Sequence, residues 1–279
     1  MDAENRYDVV GDVHGMIATF RALLAELGYR RGGKGWEHSE GRRLVQVGDL
    51  LDRGPDPLGC AELMEELVRD GVGEHVLGNH ELNAVAWFYG AREHTDAKRR
   101  AFHPTLAQIE AEPRRWERVE AFLRERPLLL SRFGARFVHA SWPEDEGAAL
   151  PPTLADERHI RETRKGGELR APVEFALKGP ETLPGEPFYD EGGELRRRRR
   201  IAWWRRYPAE APPVYFGHYW LRGAPRMLGP GGNAICLDYS CGVGGPIAAF
   251  RAPEGAFVLA ANRDVPDRRG PTRPEAEPL

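Results

Sequence analysis

The feature that most constrains the fold is a regular alternation of short β-prone runs and helical patterns in the first third of the chain. The runs at Tyr7–Val10, 44–47 and 75–77 are each followed by glycine and then by aspartate or asparagine. Apolar residues at helical spacing fill the two intervals, which end at Gly28 and Gly71. Strand, helix, strand, helix, strand at intervals of about 30 residues predicts βαβ units and a largely parallel sheet.

The rest of the chain extends this domain and interrupts it twice. Three further strands are predicted at 136–138, Val214–Phe216 and 234–237, and a last one at 257–260 closes the sheet. Residues 84–126 read as a helical insertion, and 143–213, rich in proline, glycine and charge, read either as an inserted subdomain or as long active-site loops. We therefore predict one domain over residues 1–261 and a disordered tail over 262–279.

Composition excludes several classes of protein. The 279 residues are 41% hydrophobic and 30% charged with a net charge of −3, which is typical of a soluble globular protein and unlike a nucleic-acid coat protein. No apolar run approaches the ~18 residues of a membrane helix, and the acidic N-terminus is not a secretory signal. The three cysteines lack metal-site spacing, so we expect a reducing, cytoplasmic setting.

Each predicted strand of the core ends in a side chain that can bind a metal or titrate. In an open α/β sheet, ligands bind beyond the carboxyl ends of the strands, so these segments are expected to converge on one crevice. A single histidine at a strand end is more often a structural hydrogen-bonding residue, but the coincidence of so many favours a site. The residues in question are Asp12, His14, Asp49, Asn79, His80, His139, His218 and Asp238.

The mixture of side chains indicates the kind of metal site. Aspartate, histidine and asparagine suit manganese, iron or zinc, and the absence of cysteine argues against structural zinc. Six metal-capable side chains exceed what one catalytic ion needs, but they suit two ions that share a carboxylate about 3.5–4 Å from each other. Asp49 is the expected bridging carboxylate.

The segment GDLLDRGP, residues 48–55, is the most specific signal in the chain. Asp49 is expected to face the metals, with Asp52 and Arg53 about one turn further on. The planar guanidinium of Arg53 can bind two phosphate oxygens at once. In isolation, an exposed Asp52–Arg53 ion pair on a loop would be the simpler interpretation.

Five ordered motifs, GDVHG, GDLLDRG, GNHE, VHA and GH, resemble those of the calcineurin-like metallophosphoesterases. Within that superfamily they are most similar to the branch of the phosphoprotein phosphatases and the symmetrical diadenosine tetraphosphate hydrolases. The resemblance implies a four-layer α/β/β/α sandwich with two divalent ions, manganese being preferred over iron, zinc or nickel. It assigns Asp12, His14 and Asp49 to one ion, and Asp49, Asn79, His139 and His218 to the other.

The resemblance also implies roles around the metals. A water or hydroxide between the ions would attack phosphorus, His80 held by Asp52 would protonate the leaving oxygen, and Arg53 with Asn79 and His80 would bind the phosphate. Asn79 and His80 are expected to point opposite ways, because adjacent side chains alternate on an extended strand exit. Glu81 is expected to be a structural partner, and Asp238 to support the site without binding a metal.

Substrate class is left open between two alternatives. A phosphomonoesterase acting on a small molecule or phosphoprotein is favoured, because GDLLDRG and GNHE look more like the protein phosphatases; a dinucleoside polyphosphate hydrolase is the alternative. An inactive phosphate-binding module is disfavoured because every expected site residue is present. The chain has no motif for a second phosphate-binding arginine, for which Arg205, Arg206 and Arg222 are candidates.

One basic segment suggests a different ligand. The run from Arg196 to Arg200 is followed by Trp203 and Trp204, and basic side chains beside stacking aromatics bind single-stranded nucleic acid. The preferred interpretation is a solvated edge paired with acidic neighbours. No membrane partner is expected.

Overall fold

The computed structural model describes residues 6–92, 94–95, 99–100, 102–143, 150–189 and 195–269. The strands, in chain order, are β1 (Tyr7–Val10), β2 (Tyr29–Gly32), β3 (Gly35–His38), β4 (Arg43–Gln46), β5 (Gly73–His75), β6 (Leu129–Arg132), β7 (Ala135–Val138), β8 (Phe188–Tyr189), β9 (Leu195–Arg196), β10 (Val214–Phe216), β11 (Ala234–Cys236), β12 (Ile247–Ala252) and β13 (Ala256–Ala260). The helices are α1 (Ile17–Leu27), α2 (Pro57–Arg69), α3 (Asn79–Phe88), α4 (His103–Ala111), α5 (Pro113–Arg124), α6 (Glu157–Glu162) and α7 (Arg170–Lys178).

Two sheets form the centre of the molecule. The first has the strand order β13-β12-β1-β4-β5, and the second has the order β11-β10-β7-β6. β1, β4 and β5 are parallel, as are β7, β10 and β11, so each sheet presents three carboxyl ends at one edge. The predicted largely parallel sheet is thus only one side of each sheet, because β12, β13 and β6 on the other side pair antiparallel.

Alternation along the strands separates two hydrophobic layers. Val10 and Leu44 pack with the residues of α1 and α2, whereas Val9 and Val45 belong to the cluster between the sheets. Successive side chains of a strand point to opposite faces, so each strand of the first sheet serves both layers. This explains why these runs are continuously apolar.

The second sheet is also covered on both faces. The ring of Tyr215 in β10 stacks on Phe137 and its hydroxyl contacts that of Tyr7, between the sheets. The next residue, Phe216, packs against Trp203 and Trp204 on the far face. Helices, two sheets and this outer cover of short elements make up the expected α/β/β/α sandwich, a fold class that the related structures below also support.

Three local features were not predicted or differ from prediction. β2 and β3 form a hairpin after α1, and β12 was not recognised because Ala-rich, mixed sequence precedes the last strand. Residues 262–269 of the predicted tail are packed against the domain: the carboxylate of Asp264 accepts hydrogen bonds from Ala18 N, Thr19 N and the Thr19 hydroxyl at the start of α1. The rest of the predicted tail, 270–279, lies outside the described residues.

The two predicted insertions contain short elements. Residues 84–126 include the second half of α3 and all of α4 and α5, and the described part of 143–213 contains α6, α7, the β8–β9 hairpin and a 3₁₀ turn at Trp203–Arg206. None of the helices within the described residues has the length and apolar character needed to cross a bilayer.

Candidate active site

Six of the predicted strand-end residues meet at the shared carboxyl edge of the two sheets. Asp12 and His14 follow β1, Asp49 follows β4, His139 follows β7 and His218 follows β10, while Asn79 begins α3 after β5. Four of these residues, together with His80, supply ligand atoms to two groups in which all atoms lie within 4.8 Å of one another: His14, Asp49 and His80 in one, and Asp49, His139 and His218 in the other.

Asp49 is common to both groups. Its Oδ2 atom lies 3.7 Å from Nε2 of His14, 3.2 Å from Nε2 of His139 and 3.8 Å from Nε2 of His80. Its other oxygen accepts a hydrogen bond from the backbone N–H of His80 at 3.0 Å, which fixes the carboxylate plane. One carboxylate oxygen therefore faces two sets of imidazoles, which is the arrangement that a bridging ligand requires.

The hydrogen bonds of His14 and His139 orient their rings so that Nε2 faces the ligand groups. Nδ1 of His139 lies 2.8 Å from the carbonyl oxygen of Val47, and Nδ1 of His14 lies 3.0 Å from that of Leu51. A carbonyl oxygen can only accept a hydrogen bond, so each Nδ1 is the donor and each Nε2 is the ring nitrogen turned towards the ligand groups. Nε2 of His14 is buried without a hydrogen-bond partner among the described residues.

Asp12 has the same half-satisfied character. Its Oδ1 accepts the backbone N–H of His218 at 3.2 Å, whereas its Oδ2 is buried without a hydrogen-bond partner among the described residues and lies 3.7 Å from Nε2 of His14. Leaving a buried carboxylate oxygen unpaired is costly. A cation between these atoms would satisfy both, so the residues fit a divalent metal ion on this side of Asp49.

Asn79 lies on the other side of Asp49. One atom of its side-chain amide is 3.0 Å from Nε2 of His139 and 2.9 Å from Nδ1 of His218. With oxygen in that position the amide joins Asp49, His139 and His218 in a second ligand group. In the opposite amide orientation the nitrogen would instead donate to these imidazoles and to the carbonyl of Leu177.

The expected geometry of Asn79 and His80 was wrong. Both residues lie in the first turn of α3, with Gly78 as the N-cap, and not on an extended strand exit. Consecutive side chains on a helix diverge by about 100°. That divergence is enough to direct Asn79 towards His139 and His218 while the ring of His80 lies over His14, with centroids 4.8 Å apart.

Glycines precede the site residues because neighbouring segments approach too closely for a side chain. A Cβ atom on Gly78 would lie 2.3 Å from Asp49 N and 2.4 Å from Asp49 Oδ1. One on Gly217 would lie 2.0 Å from Oδ1 of Asp12. These two glycines thus make room for the candidate ligand of another motif.

Backbone strain is concentrated at this site. Among the described residues, eight residues other than glycine have positive φ, and five of them are predicted site residues. Such conformations cost about 1–3 kcal/mol each and persist only where the surroundings hold them. The five are His14, Asp49, Asp52, Arg53 and His218.

Glu81 is the group that holds the Asp49 turn. Its buried carboxylate accepts four backbone hydrogen bonds, from Asp49 N and Gly78 N on Oε2 and from Leu50 N and Leu51 N on Oε1, at 2.8–3.0 Å. Burial raises the pKa of Glu81, and the charge of Asp49 raises it further. The structural role expected for Glu81 agrees with these contacts.

The second predicted pair, His80 and Asp52, lies at the open side of the site. Nδ1 of His80 is 2.5 Å from Oδ2 of Asp52, and the other ring nitrogen is directed towards the metal-ligand groups. Burial opposes protonation of His80, but the carboxylates of Asp49 and Asp52 raise its pKa above the usual value. Arg53 lies beside this pair, and a Cβ on Gly242 would lie 2.5 Å from Cδ of Arg53.

The charges of the ligand groups favour a cation. Burial raises the pKa of Asp12 well above its usual value, with Asp238 adding to the shift, and burial lowers the pKa of His14 well below its own. Burial would also lower the pKa of His139, but Asp49 and Asp12 raise it to about 10. Burial thus opposes the charged form of Asp12, and the carboxylates hold a proton on His139; a divalent ion would neutralise the carboxylates and take the place of that proton.

Sequence reasoning missed two residues of the site. Thr105 of α4 is hydrogen-bonded to both the carboxylate and the backbone N–H of Asp52. Arg200, the last arginine of the basic run, donates from Nη1 to the carbonyl oxygen of His218 at 2.5 Å. Thr105 belongs to no recognisable sequence motif. The arginine run could have indicated Arg200 only if the end of the run were known to lie against His218, which follows β10.

The described part of the basic segment lacks the stacking geometry that the nucleic-acid alternative, disfavoured from the sequence, would require. Trp203 and Trp204 are buried against Phe216 and Tyr219, so their faces are unavailable for base stacking. Asp238 accepts hydrogen bonds from Trp220 N and Ser240 N, as a supporting residue would.

The two sheets meet at one edge, where Asp49 is shared by two groups of imidazoles. This fold and site are those of a metal-dependent phosphoric ester hydrolase. The chain belongs to the calcineurin-like phosphoesterase family, whose model matches residues 6–218. It is 28% identical to the asymmetrical bis(5'-nucleosyl)-tetraphosphatase PrpE of Oceanobacillus iheyensis over 92% of this chain and 93% of that protein. It is also 28% identical to the PrpE protein of the same description from Halalkalibacterium halodurans, over 92% and 94% of the two chains.

A solved structure supports the fold. A serine/threonine phosphatase from Saccharomyces cerevisiae, similar to human phosphatase PP5, superposes with a TM-score of 0.57 at 14% identity, covering 96% of this chain and 83% of that chain. At this identity the likeness concerns the fold alone.

Proposed function

We propose that the protein hydrolyses dinucleoside polyphosphates with two divalent metal ions. The observation that carries the proposal is the position of Asp49 between two ligand groups, with His80, Asp52 and Arg53 on the open side. Asp12, His14 and Asp49 would hold one ion, and Asp49, Asn79, His139 and His218 the other. When bound, such ions lower the pKa of a water and polarise phosphoryl oxygens.

The chain's own side chains would complete the reaction. Arg53 and Asn79 bind and orient the phosphate that is attacked. His80, hydrogen-bonded through Nδ1 to Asp52, turns Nε2 towards the leaving oxygen and donates its proton there. Asp52 fixes the ring and stabilises its protonated form, and Glu81 fixes the loop that carries Asp49 and Asp52.

The relatives support a dinucleoside polyphosphate as the substrate. This is the opposite of the preference drawn from the sequence, which put phosphomonoesters first. The sequence favoured phosphomonoesters, but the similar proteins named above are bis(5'-nucleosyl)-tetraphosphatases, which supports the alternative. They are described as asymmetrical, whereas the alternative considered from sequence was the symmetrical enzyme. We therefore expect diadenosine tetraphosphate to yield ATP and AMP, and not two molecules of ADP.

Metal identity and setting are part of the proposal. A ligand set of carboxylates, imidazoles and one amide suits manganese, with iron, zinc or nickel as alternatives. Three buried free cysteines support a reducing, cytoplasmic setting, where nucleotide substrates are found.

The test is turnover of diadenosine tetraphosphate, p-nitrophenyl phosphate and a phosphoserine peptide with Mn²⁺ or with chelator, followed by chromatography of the products. We expect the dinucleotide to have the highest kcat/KM and to give ATP and AMP. His80→Ala should lower kcat by about 10²-fold or more if His80 is the general acid. A preference for either monoester would contradict the proposed substrate. No turnover of any substrate with manganese, iron, zinc or nickel would favour the alternative that the protein is an inactive phosphate-binding module.

A further inference from the structure

Thr105 is a buried residue of the helical insertion that contacts the active-site dyad. Its hydroxyl donates to Oδ1 of Asp52 and accepts the backbone N–H of Asp52, the latter at 2.9 Å. The opposite carboxylate oxygen of Asp52 is the one that holds Nδ1 of His80 at 2.5 Å. Thr105 is completely buried, so no water can take the place of its hydroxyl.

We propose that Thr105 is a positioning residue that orients the Asp52 carboxylate and, through it, the ring of His80. The proposal rests on the proposed role of His80 as the proton donor. In the described part of the chain the Thr105 hydroxyl is hydrogen-bonded to Asp52 and to no candidate metal ligand, so it acts through Asp52.

The conformation of Asp52 explains why such a residue is needed. Asp52 and Arg53 both have φ of 68°, in the left-handed region. Strained residues keep this conformation only where several contacts fix them. Thr105 supplies two of these contacts, one to the backbone and one to the side chain of the same strained residue.

α4 also holds the segment that follows. Gln108, one turn after Thr105 on the same face, accepts from Leu58 N at 2.9 Å and donates to Oδ1 of Asp56 at 2.8 Å. Asp56 is the N-cap of α2, so Thr105 and Gln108 dock α4 on successive parts of one loop. Within the described residues the Gln108 side chain is hydrogen-bonded to Leu58 N and Asp56 and not to Asp52, so it is a matched control for docking without positioning.

The experiment compares Thr105→Val, Thr105→Ser and Gln108→Met with the wild-type protein. Valine keeps the shape of threonine but removes both hydrogen bonds, and serine keeps the hydroxyl. The first measurement is the downfield proton NMR spectrum of the metal-free protein, in which the short His80–Asp52 hydrogen bond should give a resolved signal. We expect Thr105→Val to shift or broaden this signal, and Thr105→Ser and Gln108→Met to retain it.

The second measurement is turnover of phenyl phosphate and p-nitrophenyl phosphate with Mn²⁺. A misplaced acid matters most for the poorer leaving group, so Thr105→Val should lower kcat about tenfold or more on phenyl phosphate and less on p-nitrophenyl phosphate, with KM nearly unchanged. Thr105→Ser should restore kcat. Equal losses in Thr105→Val and Gln108→Met would mean that Thr105 only docks the helix and would overturn the proposal.

The two measurements separate this proposal from the proposed function. If the NMR signal is unchanged in Thr105→Val, Thr105 does not position the dyad and the inference fails. If the signal is lost but turnover of both esters is unchanged, Thr105 positions the dyad, and His80 is not the general acid. The second outcome would overturn the role proposed for His80 and leave the positioning itself established.

Discussion

The guanidinium of Arg53 lies over the ring of Trp220, with Cζ 4.5 Å from the ring centroid. Trp220 has a φ of 55°, and its backbone N–H donates to Oδ2 of the buried Asp238 at 2.7 Å. The tryptophan is thus held firmly, and it supports a long side chain that would otherwise be free to rotate. Sequence analysis identified Arg53 but gave no role to Trp220.

This contact predicts a loss of phosphate affinity in Trp220→Leu. A cation–π contact contributes about 0.5–2 kcal/mol, so KM for the substrate and Ki for inorganic phosphate should rise by about twofold to thirtyfold. Steady-state kinetics with phosphate inhibition measures both constants. Trp220→Phe, which keeps an aromatic face, should lose less; equal effects of leucine and phenylalanine would refute the cation–π explanation.

Glu81→Gln should destabilise the protein although it changes one oxygen to nitrogen. The amide nitrogen would face two of the four backbone N–H groups that the carboxylate now accepts, leaving buried donors unpaired. We expect the free energy of unfolding to fall by about 2 kcal/mol or more, together with Mn²⁺ affinity, because the Asp49 turn loosens. Urea denaturation and metal titration measure the two, with the exposed Glu26→Gln as control; wild-type stability in Glu81→Gln would be contrary to this account.

The convergence of the candidate ligand residues could be predicted because their positions follow from one rule. Parallel strands bring their carboxyl ends to the same edge of a sheet, so Asp12, Asp49, His139 and His218 were expected together before their distances were known. Asn79 was also predicted, although the reasoning that placed it on an extended exit was wrong. Asn79 was predicted from the metal-binding capacity of its side chain, and that prediction did not depend on whether its backbone is extended or helical.

The supporting residues could not be predicted because tertiary contacts alone decide them. Thr105 lies 53 positions from Asp52 in a helix whose pattern shows only its apolar face. Arg200 is one of five identical neighbours, and only the folded chain distinguishes it. The strained backbone of Asp52 likewise has no glycine to mark it in the sequence.

Arg200 should matter more for long phosphate chains than for short ones. The Arg200 side chain is partly exposed beside His218. Burial lowers the pKa of His218, and the charge of Arg200 lowers it further. A cation at this rim attracts the additional phosphates of a dinucleotide, so Arg200→Met should lower kcat/KM for diadenosine tetraphosphate about tenfold, chiefly through KM. The loss on p-nitrophenyl phosphate should be smaller, and replacing the exposed Arg205 of the 3₁₀ turn, in Arg205→Met, should change neither. A uniform loss on both substrates would show that Arg200 acts on His218 alone.

The burial of His75 should make the stability of the metal-free protein depend on pH. Its Nδ1 donates to Oε1 of Gln46 at 2.6 Å, and its Nε2 is buried without a hydrogen-bond partner among the described residues. Burial, reinforced by the charge of Arg126, lowers the pKa of His75 to about 3. A second proton therefore has no acceptor to meet in the folded state.

The unfolded chain binds this proton with the usual histidine pKa of about 6.5, so acid favours unfolding. The contribution of His75 is complete above about pH 6.5 and is lost as the pH falls towards 3, which amounts to about 2 kcal/mol at pH 5. Urea denaturation of the metal-free protein between pH 7.5 and 5 should show this loss in the wild type, and a shallower one in His75→Leu, which cannot titrate. Comparing the two slopes removes the contribution of the active-site histidines, which both proteins share. Parallel curves would mean that His75 is protonated in the folded state and that the polar contact with Gln46 is not the one that holds it.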